Sequence, residues 1–206
     1  MFGDNQTAKR LCEGWGAWGG NCFGMSMTSC QIFRKITSAA SFRSGAEKAS
    51  ELSVTDRSSS LGYNLTTYIE ACQISQGSSY KQKVQNSHRD NLDALVSAVK
   101  SGGPVIVSIR GKDDEGDDCG HAMVAYAVTE ASPTTHYLEL YDPNFRQQIR
   151  RITLGRNSSG KYTSWYYHLN DDYHWGTGYS SACISYFTAE DMAYLWNNRG
   201  RLTDSY

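Results

Sequence analysis

Residues 90–110, DNLDALVSAVKSGGPVIVSIR, mark the point at which this chain changes from a helical to a strand-forming sequence. The first part carries apolar side chains at the spacing of one helix face, at Leu92, Leu95, Val96 and Val99. Gly102, Gly103 and Pro104 then predict the end of the helix, because glycine favours helix termination and proline cannot continue the backbone hydrogen bonds. The β-branched run PVIVSIR that follows predicts a strand.

The segments on either side of this stretch extend the same division. We expect a helix that begins near Cys22, a short helix in residues 45–52, and a helix over residues 64–75 capped by Asn64. Residues 81–89 are polar and are expected to be exposed. Further strands are predicted over residues 121–129, 136–142, 146–154 and 162–169, and a last helix over residues 188–196.

Short turns between the strands favour an antiparallel sheet, and the separation of helices from strands favours an α+β fold. We therefore expect a helical N-terminal half packed on an antiparallel β-sheet in the C-terminal half. The 206 residues fit one domain, with a helical lobe over about residues 1–101 and a sheet lobe over about residues 102–206.

Composition excludes several classes of partner. The net charge of -1 argues against a nucleic-acid partner, since such proteins need a concentrated basic surface. No apolar run approaches the roughly 20 residues that span a bilayer, so no membrane partner is expected. Low lysine content with abundant Tyr, Ser, Gly and Asn favours a secreted or cell-surface protein, and we expect a monomer.

The cysteine content favours a reactive thiol over a scaffold of disulfide bonds. The six cysteines contain no CxxC pair, so a structural zinc site is not expected, and no other metal or cofactor is implied. Residues 12–34, CEGWGAWGGNCFGMSMTSCQIFR, read as an irregular loop that delivers Cys22 to the first turn of a helix. The N–H groups and partial positive charge of a helix start favour a thiolate. The competing interpretation is that Cys22 is a small buried apolar residue.

Two further residues complete a candidate catalytic set with Cys22. His121 opens one predicted strand and Asp142 ends the next, so an antiparallel pair would place them side by side. A thiol needs a base at neutral pH, and the base needs a third group to orient it. Asn144 is the alternative candidate for the residue that orients His121. The purely structural interpretations are a strand-edge residue for His121 and a turn residue for Asp142.

Three segments of the chain resemble the papain-like cysteine peptidases, and most closely the bacteriocin leader-processing (double-glycine) branch. They are GGNCFGMS, DALVSAVKSGGPVIVSIR…CGHAMVAYAV and YLELYDPN. The resemblance covers about residues 11–30 and 92–145 and implies a papain-like fold with a peptide or protein substrate. It assigns Cys22 as the nucleophile, His121 as the base and Asp142 as the residue that orients the imidazole.

The chain departs from this family at one position. The family usually carries a Gln a few residues before its Cys, and residues 13–21 contain none. Asn5, Gln6 and Asn21 are the candidate amides for an oxyanion hole, beside backbone N–H groups. Losing one such donor typically costs on the order of a hundred- to a thousandfold in rate, so a slow or inactive homologue stays open as an interpretation.

Several other groups near these residues are open to two interpretations. The acidic loop, residues 113–118, is either a solvated loop or a calcium site, and it would favour substrates with Lys or Arg near the scissile bond. Cys119 is either incidental or a second reactive thiol, and His136 is interpreted as an exposed edge residue. The aromatic residues either line a peptide groove or form the core, namely Trp15, Trp18, Trp165, Tyr166, Tyr167, Tyr173 and Trp175.

The sequence thus predicts a cysteine peptidase that works through Cys22, His121 and Asp142. A transglutaminase-like enzyme also uses Cys, His and Asp in this order, although its Cys and His are usually closer together. A cell-wall amidase of the Cys-His type and an inactive peptidase-fold binding module are two further interpretations of the same residues.

Overall fold

A computed structural model describes residues 21–53, 55–58, 62, 64–76, 79–113, 115–145, 148–169 and 174–198. Helices and strands are both present, and the predicted mixture of helices with an antiparallel sheet is confirmed. Contacts within the chain divide it into two compact units, Met1–Lys83 with Glu190–Tyr206 and Val84–Ala189. No described helix is long and apolar enough to cross a bilayer.

The described residues contain six α-helices and seven strands, here numbered in chain order. The helices are α1 (Cys22–Phe33), α2 (Ala39–Phe42), α3 (Leu65–Ser75), α4 (Ser79–Ser87), α5 (Leu92–Gly102) and α6 (Ala189–Asn197), with a 3-10 turn at Ala49–Glu51. The strands are β1 (Val105–Lys112), β2 (Asp118–Ser132), β3 (Thr135–Tyr141), β4 (Arg150–Arg156), β5 (Tyr162–His168), β6 (His174–Gly176) and β7 (Cys183–Phe187).

The first unit is built around the contact between α1 and α3. The helices approach closely at Gly24, where a Cβ atom would lie 2.3 Å from the carbonyl oxygen of Ile69. Helix α3 begins as expected, because the Asn64 side chain accepts a hydrogen bond of 2.8 Å from the Thr67 N–H. Its Tyr68 side chain packs edge-on against Phe42, with the ring centroids 5.4 Å apart.

The second unit is an antiparallel sheet with the order β6-β5-β4-β3-β2-β1-β7. Helix α5 covers one face, and its apolar positions join the sheet in one core. That core contains Leu95, Val107, Met123, Leu140 and Trp165 among others. The sheet curves into a half-barrel. As a result β6 approaches β1, where a Cβ on Gly111 would lie 2.3 Å from Cδ1 of Trp175.

Three local predictions differ from the structure. Residues 81–89 largely belong to α4, in which Val84 and Gln85 are buried, and so do not form an entirely exposed segment. Strand β7 is not among the predicted strands, because all five of its residues are buried and it lacks the alternation that marks a half-exposed strand. His136 is buried, and its Nδ1 lies 2.7 Å from the Tyr162 hydroxyl, so it is not an exposed edge residue.

Candidate active site

Cys22 is the first residue of α1, as the sequence predicted. Its side chain is half-buried, in contrast to the fully buried Cys30 and Cys72 further along the same unit. The first turn of a helix exposes backbone N–H groups, and their partial positive charge favours a thiolate over a thiol. The position of Cys22 is therefore suited to a nucleophile.

The start of α1 is held by a residue that the sequence did not reveal. The Gly24 N–H donates a 2.7 Å hydrogen bond to Oε1 of Gln73, which reaches it from α3. Both groups are buried, so the bond satisfies a first-turn donor that solvent cannot reach. A separation of 49 residues hides this pairing from any local pattern. Gln73 thus fixes the helix end that carries Cys22.

His121 and Asp142 lie side by side in the second unit. The Nε2 atom of His121 is 2.9 Å from Oδ1 of Asp142, and the two side chains are 5% and 0% exposed. His121 is in β2, opposite Ile109 of β1, and Asp142 directly follows the end of β3. The antiparallel pairing of β2 with β3 produces this contact, as the sequence predicted.

Two more donors hold the Asp142 carboxylate. The Tyr167 hydroxyl, from β5, donates to Oδ2 at 2.5 Å, and the Asn144 backbone N–H donates to Oδ1 at 2.9 Å. Asn144 therefore supports Asp142 through its backbone. Tyr167 is part of the core and also a member of the site, a role that no local sequence pattern indicates.

The environment of Asp142 favours its ionised form. Burial raises the pKa of the carboxyl, but the hydrogen bond and charge of His121, with the bonds from Tyr167 and Asn144, hold it below the ordinary value of 3.8. Burial, followed by the Asp142 carboxylate, raises the pKa of Tyr167 above 10.0, so its hydroxyl remains a donor. The pair is therefore a neutral phenol beside a carboxylate.

This assignment also determines the tautomer of His121. An ionised carboxylate only accepts hydrogen bonds, so His121 Nε2 carries the hydrogen that faces Asp142. In the neutral ring the basic lone pair then belongs to Nδ1. An imidazole oriented in this way can accept a proton at Nδ1 while Asp142 stabilises the resulting imidazolium.

The other described thiols are less suited to act as nucleophiles. Burial raises the pKa of Cys30 to about 12 despite the opposing charge of Arg34. Burial likewise raises the pKa of Cys119 and that of Cys183 above 9.0. Cys119 is half-buried on β2, and its thiol faces the Gly111 carbonyl oxygen at 3.6 Å. It is the natural reference for the reactivity of Cys22.

Some predicted features can be placed and others lie outside the described residues. Trp165, Tyr167 and Trp175 are core residues, whereas Tyr166 is partly exposed. In the acidic loop, Asp113 accepts hydrogen bonds from the backbone N–H groups of Glu115 and Asp117. Among the side chains that the structure describes, no group of three His, Cys, Asp or Glu residues is arranged to hold a metal. Residues outside the described part are Asn5, Gln6, Cys12, Trp15, Trp18, Asp114 and Tyr173.

Comparison with known proteins does not assign the chain to a family. No protein-family model matches it, and neither the curated proteins nor the solved structures contain a significant match.

Proposed function

We propose that this protein is a cysteine peptidase of papain-like architecture, in which Cys22 is the nucleophile, His121 the general base and Asp142 the residue that orients His121. The observation that supports this proposal most strongly is the buried contact of 2.9 Å between His121 and Asp142. A buried carboxylate with three hydrogen-bond donors holds an imidazole in one tautomer, which is what a general base requires.

The position of Cys22 is the second support. A half-buried thiol on the first residue of a helix has the local field that stabilises a thiolate. The placement of Cys22 beside His121 stays a prediction. A helix that begins with the thiol and an antiparallel sheet that carries the base and its partner are the two parts that the papain-like assignment needs.

The proposed reaction follows from these groups. Nδ1 of His121 accepts the Cys22 proton, and Sγ attacks the carbonyl carbon of a peptide bond to form a tetrahedral oxyanion. The imidazolium then donates its proton to the leaving amine as the C–N bond breaks, which leaves a thioester on Cys22. Water, deprotonated by His121, attacks this thioester and releases the carboxylic acid together with the regenerated thiol.

The test is proteolysis by the full chain and by Cys22→Ala. Wild-type protein is incubated with denatured casein and a mixture of synthetic peptides, and the products are identified by mass spectrometry. We expect fragments from the wild type and a loss of at least about a thousandfold in rate with Cys22→Ala, because removing the nucleophile removes the covalent route.

Ser29→Ala is the matched control, since Ser29 is also half-buried on α1, its hydroxyl donates to the Met25 carbonyl oxygen of the same helix, and its loss should leave cleavage unchanged. Circular dichroism of each variant checks that the fold is retained. Undiminished cleavage by Cys22→Ala would refute the proposal. Intact substrate with correctly folded wild-type protein would instead favour a peptidase fold used only for binding.

A further inference from the structure

A cavity of about 430 Å³ lies where β1 ends and β2 begins. The residues around it come from the end of β1, the start of β2, the start of β7 and the two turns nearby. They are Arg89, Arg110, Gly111, Asp118, Cys119, Gly120, Ser181 and Cys183. Its volume is within the range of about 300–1,000 Å³ that is usual for ligand sites. Gly120 directly precedes His121 in β2, so these two residues lie on opposite faces of the sheet.

The register of the three strands explains how the cavity is formed. Arg110 lies opposite Gly120 on one side and opposite Cys183 on the other, so these residues form a row across β2, β1 and β7. Residues directly opposite each other in antiparallel strands share one face of the sheet. A Cβ on Gly120 would lie 3.5 Å from Cγ of Arg110, so the glycine lets the arginine side chain lie close to β2.

Arg110 is held in place by an uncharged partner. Its Nη2 donates a 2.6 Å hydrogen bond to Oε1 of Gln85, a residue of α4 that is 7% exposed. In the described part of the chain no carboxylate pairs with Arg110, so its charge is oriented without being neutralised. An oriented guanidinium of this kind is well suited to bind a carboxylate.

Arg89 adds a second guanidinium. It is positioned by Asp90, whose N–H donates to the Ile184 carbonyl oxygen at 2.7 Å and whose carboxylate accepts from the Ile184 N–H at 3.0 Å. Asp90 also lies 3.5 Å from Arg89, but both side chains are about half-exposed, so this pair only partly offsets the charge. Two cations thus border the same cavity.

The acid at the cavity edge is already paired. Oδ1 of Asp118 lies 2.7 Å from Nζ of Lys112, and the Asp118 side chain is 87% exposed. In the acidic loop, Asp113 is engaged by backbone N–H groups of its own turn. Among the residues that line the cavity, the two arginines outnumber the one carboxylate. The Asp113 and Asp118 carboxylates act on Cys119 at the other side of the cavity, so the positive charge is concentrated around Arg110 and Arg89. The expectation that the acidic loop favours basic substrates stays a prediction.

We propose that this cavity is a subsite for a peptide carboxylate, in which Arg110 and Arg89 bind an acidic side chain or a free C-terminus. Because the Arg110 row and His121 lie on opposite faces of the sheet, the inference goes beyond the proposed peptidase function and is tested apart from it. The binding itself requires only the cavity and its two arginines.

The experiment uses the full chain carrying Cys22→Ala, so that probes are not cleaved. Four probes are titrated while the backbone amide signals of Gly111, Gly120 and Ser181 are followed by NMR. The probes are acetyl-Gly-Glu-Gly-amide, its Gln and Lys counterparts, and acetyl-Gly-Gly-Gly with a free carboxylate. We expect the Glu probe to shift these signals with a Kd at least about tenfold below that of the Gln probe. The reason is that the Gln probe cannot form the charge-assisted hydrogen bonds between a carboxylate and an arginine. The Lys probe should bind most weakly.

Arg110→Gln should abolish the preference for Glu over Gln. Lys100→Gln, an equal change of charge at an exposed position on α5, should leave the preference unchanged. Tight binding of the free-carboxylate probe would identify the C-terminus as the ligand, and tight binding of the Glu probe alone would identify an acidic side chain. A preference for Lys, or a Glu preference that survives Arg110→Gln, would overturn the inference.

The two proposals fail separately. Selective binding of a carboxylate by a protein that cleaves no peptide would leave the subsite standing and refute the peptidase. If the protein cleaves peptides but Arg110→Gln does not change its preference for acidic peptides, the peptidase proposal would stand and the subsite would be refuted.

Discussion

The site depends on the carboxylate group of Asp142. It is fully buried, and a buried charge is stable only when hydrogen bonds replace the water it has lost. His121, Tyr167 and the Asn144 backbone supply those bonds. The same three contacts stabilise the fold and orient the imidazole. Stability and the proposed activity should therefore respond together when one of them is removed.

Tyr167→Phe is expected to destabilise the protein in a pH-dependent way. The folded pKa of Asp142 is below 3.8, so its carboxylate stabilises the protein above that pH and loses this effect as the pH falls through the folded value. Without the phenol hydroxyl the folded pKa rises toward 3.8. Urea unfolding should show that the variant has a free energy of unfolding about 1.5–3 kcal/mol lower than that of the wild type at pH 7. This difference should become smaller below about pH 4.

Tyr166→Phe is the control for this variant. Tyr166 is the preceding residue on β5, is partly exposed and has little core contact to lose. It should change the unfolding free energy by less than about 0.5 kcal/mol at either pH. A Tyr167→Phe effect of equal size at pH 7 and pH 3 would show that the hydroxyl does not act through the Asp142 charge.

At the scale of elements, curvature of the sheet is what brings distant strands together. Strand β6 lies at the far end of the strand order from β1, yet its Trp175 packs against Gly111 of β1. A glycine is required at this point because the indole occupies the space where a Cβ would lie. Gly111 also borders the cavity that contains Arg110 and Gly120.

Gly111→Ala is expected to lower the unfolding free energy by about 1–3 kcal/mol, since the new Cβ would lie 2.3 Å from Trp175. Thermal unfolding followed by tryptophan fluorescence measures the change. Gly102→Ala is the matched control. It sits in the last turn of α5, where an added methyl group would have no neighbouring atom within 4 Å, and should be neutral or slightly stabilising. Equal effects of the two variants would contradict the close approach of Trp175 to β1.

At the scale of the whole molecule, the proposed catalytic groups come from different units of the chain. Cys22 belongs to the first unit, whereas His121 and Asp142 belong to the second. The peptidase proposal therefore predicts a functional coupling between the units: the reactivity of Cys22 should depend on His121.

His121→Ala is expected to slow alkylation of Cys22 by iodoacetamide at pH 7 by about tenfold or more, because the thiol loses the base that forms its thiolate. Peptide mapping by mass spectrometry measures the rate at each cysteine. The rate at Cys119 reports any general change in access. His136→Ala removes another buried histidine of the sheet and should leave Cys22 unaffected. Identical Cys22 rates in wild type and His121→Ala would refute the coupling.

Local patterns in the sequence determined much of this protein. Helical spacing and the Asn64 cap located α3, the change of period at residue 104 located β1, and strand order placed His121 beside Asp142. These features depend on neighbours in the chain or on one adjacent pair of strands, so a short window of residues contains the information.

Only the tertiary structure decided the features that join distant residues. Strand β7 carries no alternation because all of its residues are buried, and the link from Gln73 to the start of α1 spans 49 residues. Tyr167 reaches Asp142 from β5, and Arg110 is oriented by Gln85, which lies 25 residues earlier in the chain. Such contacts depend on packing and curvature, which no local periodicity encodes.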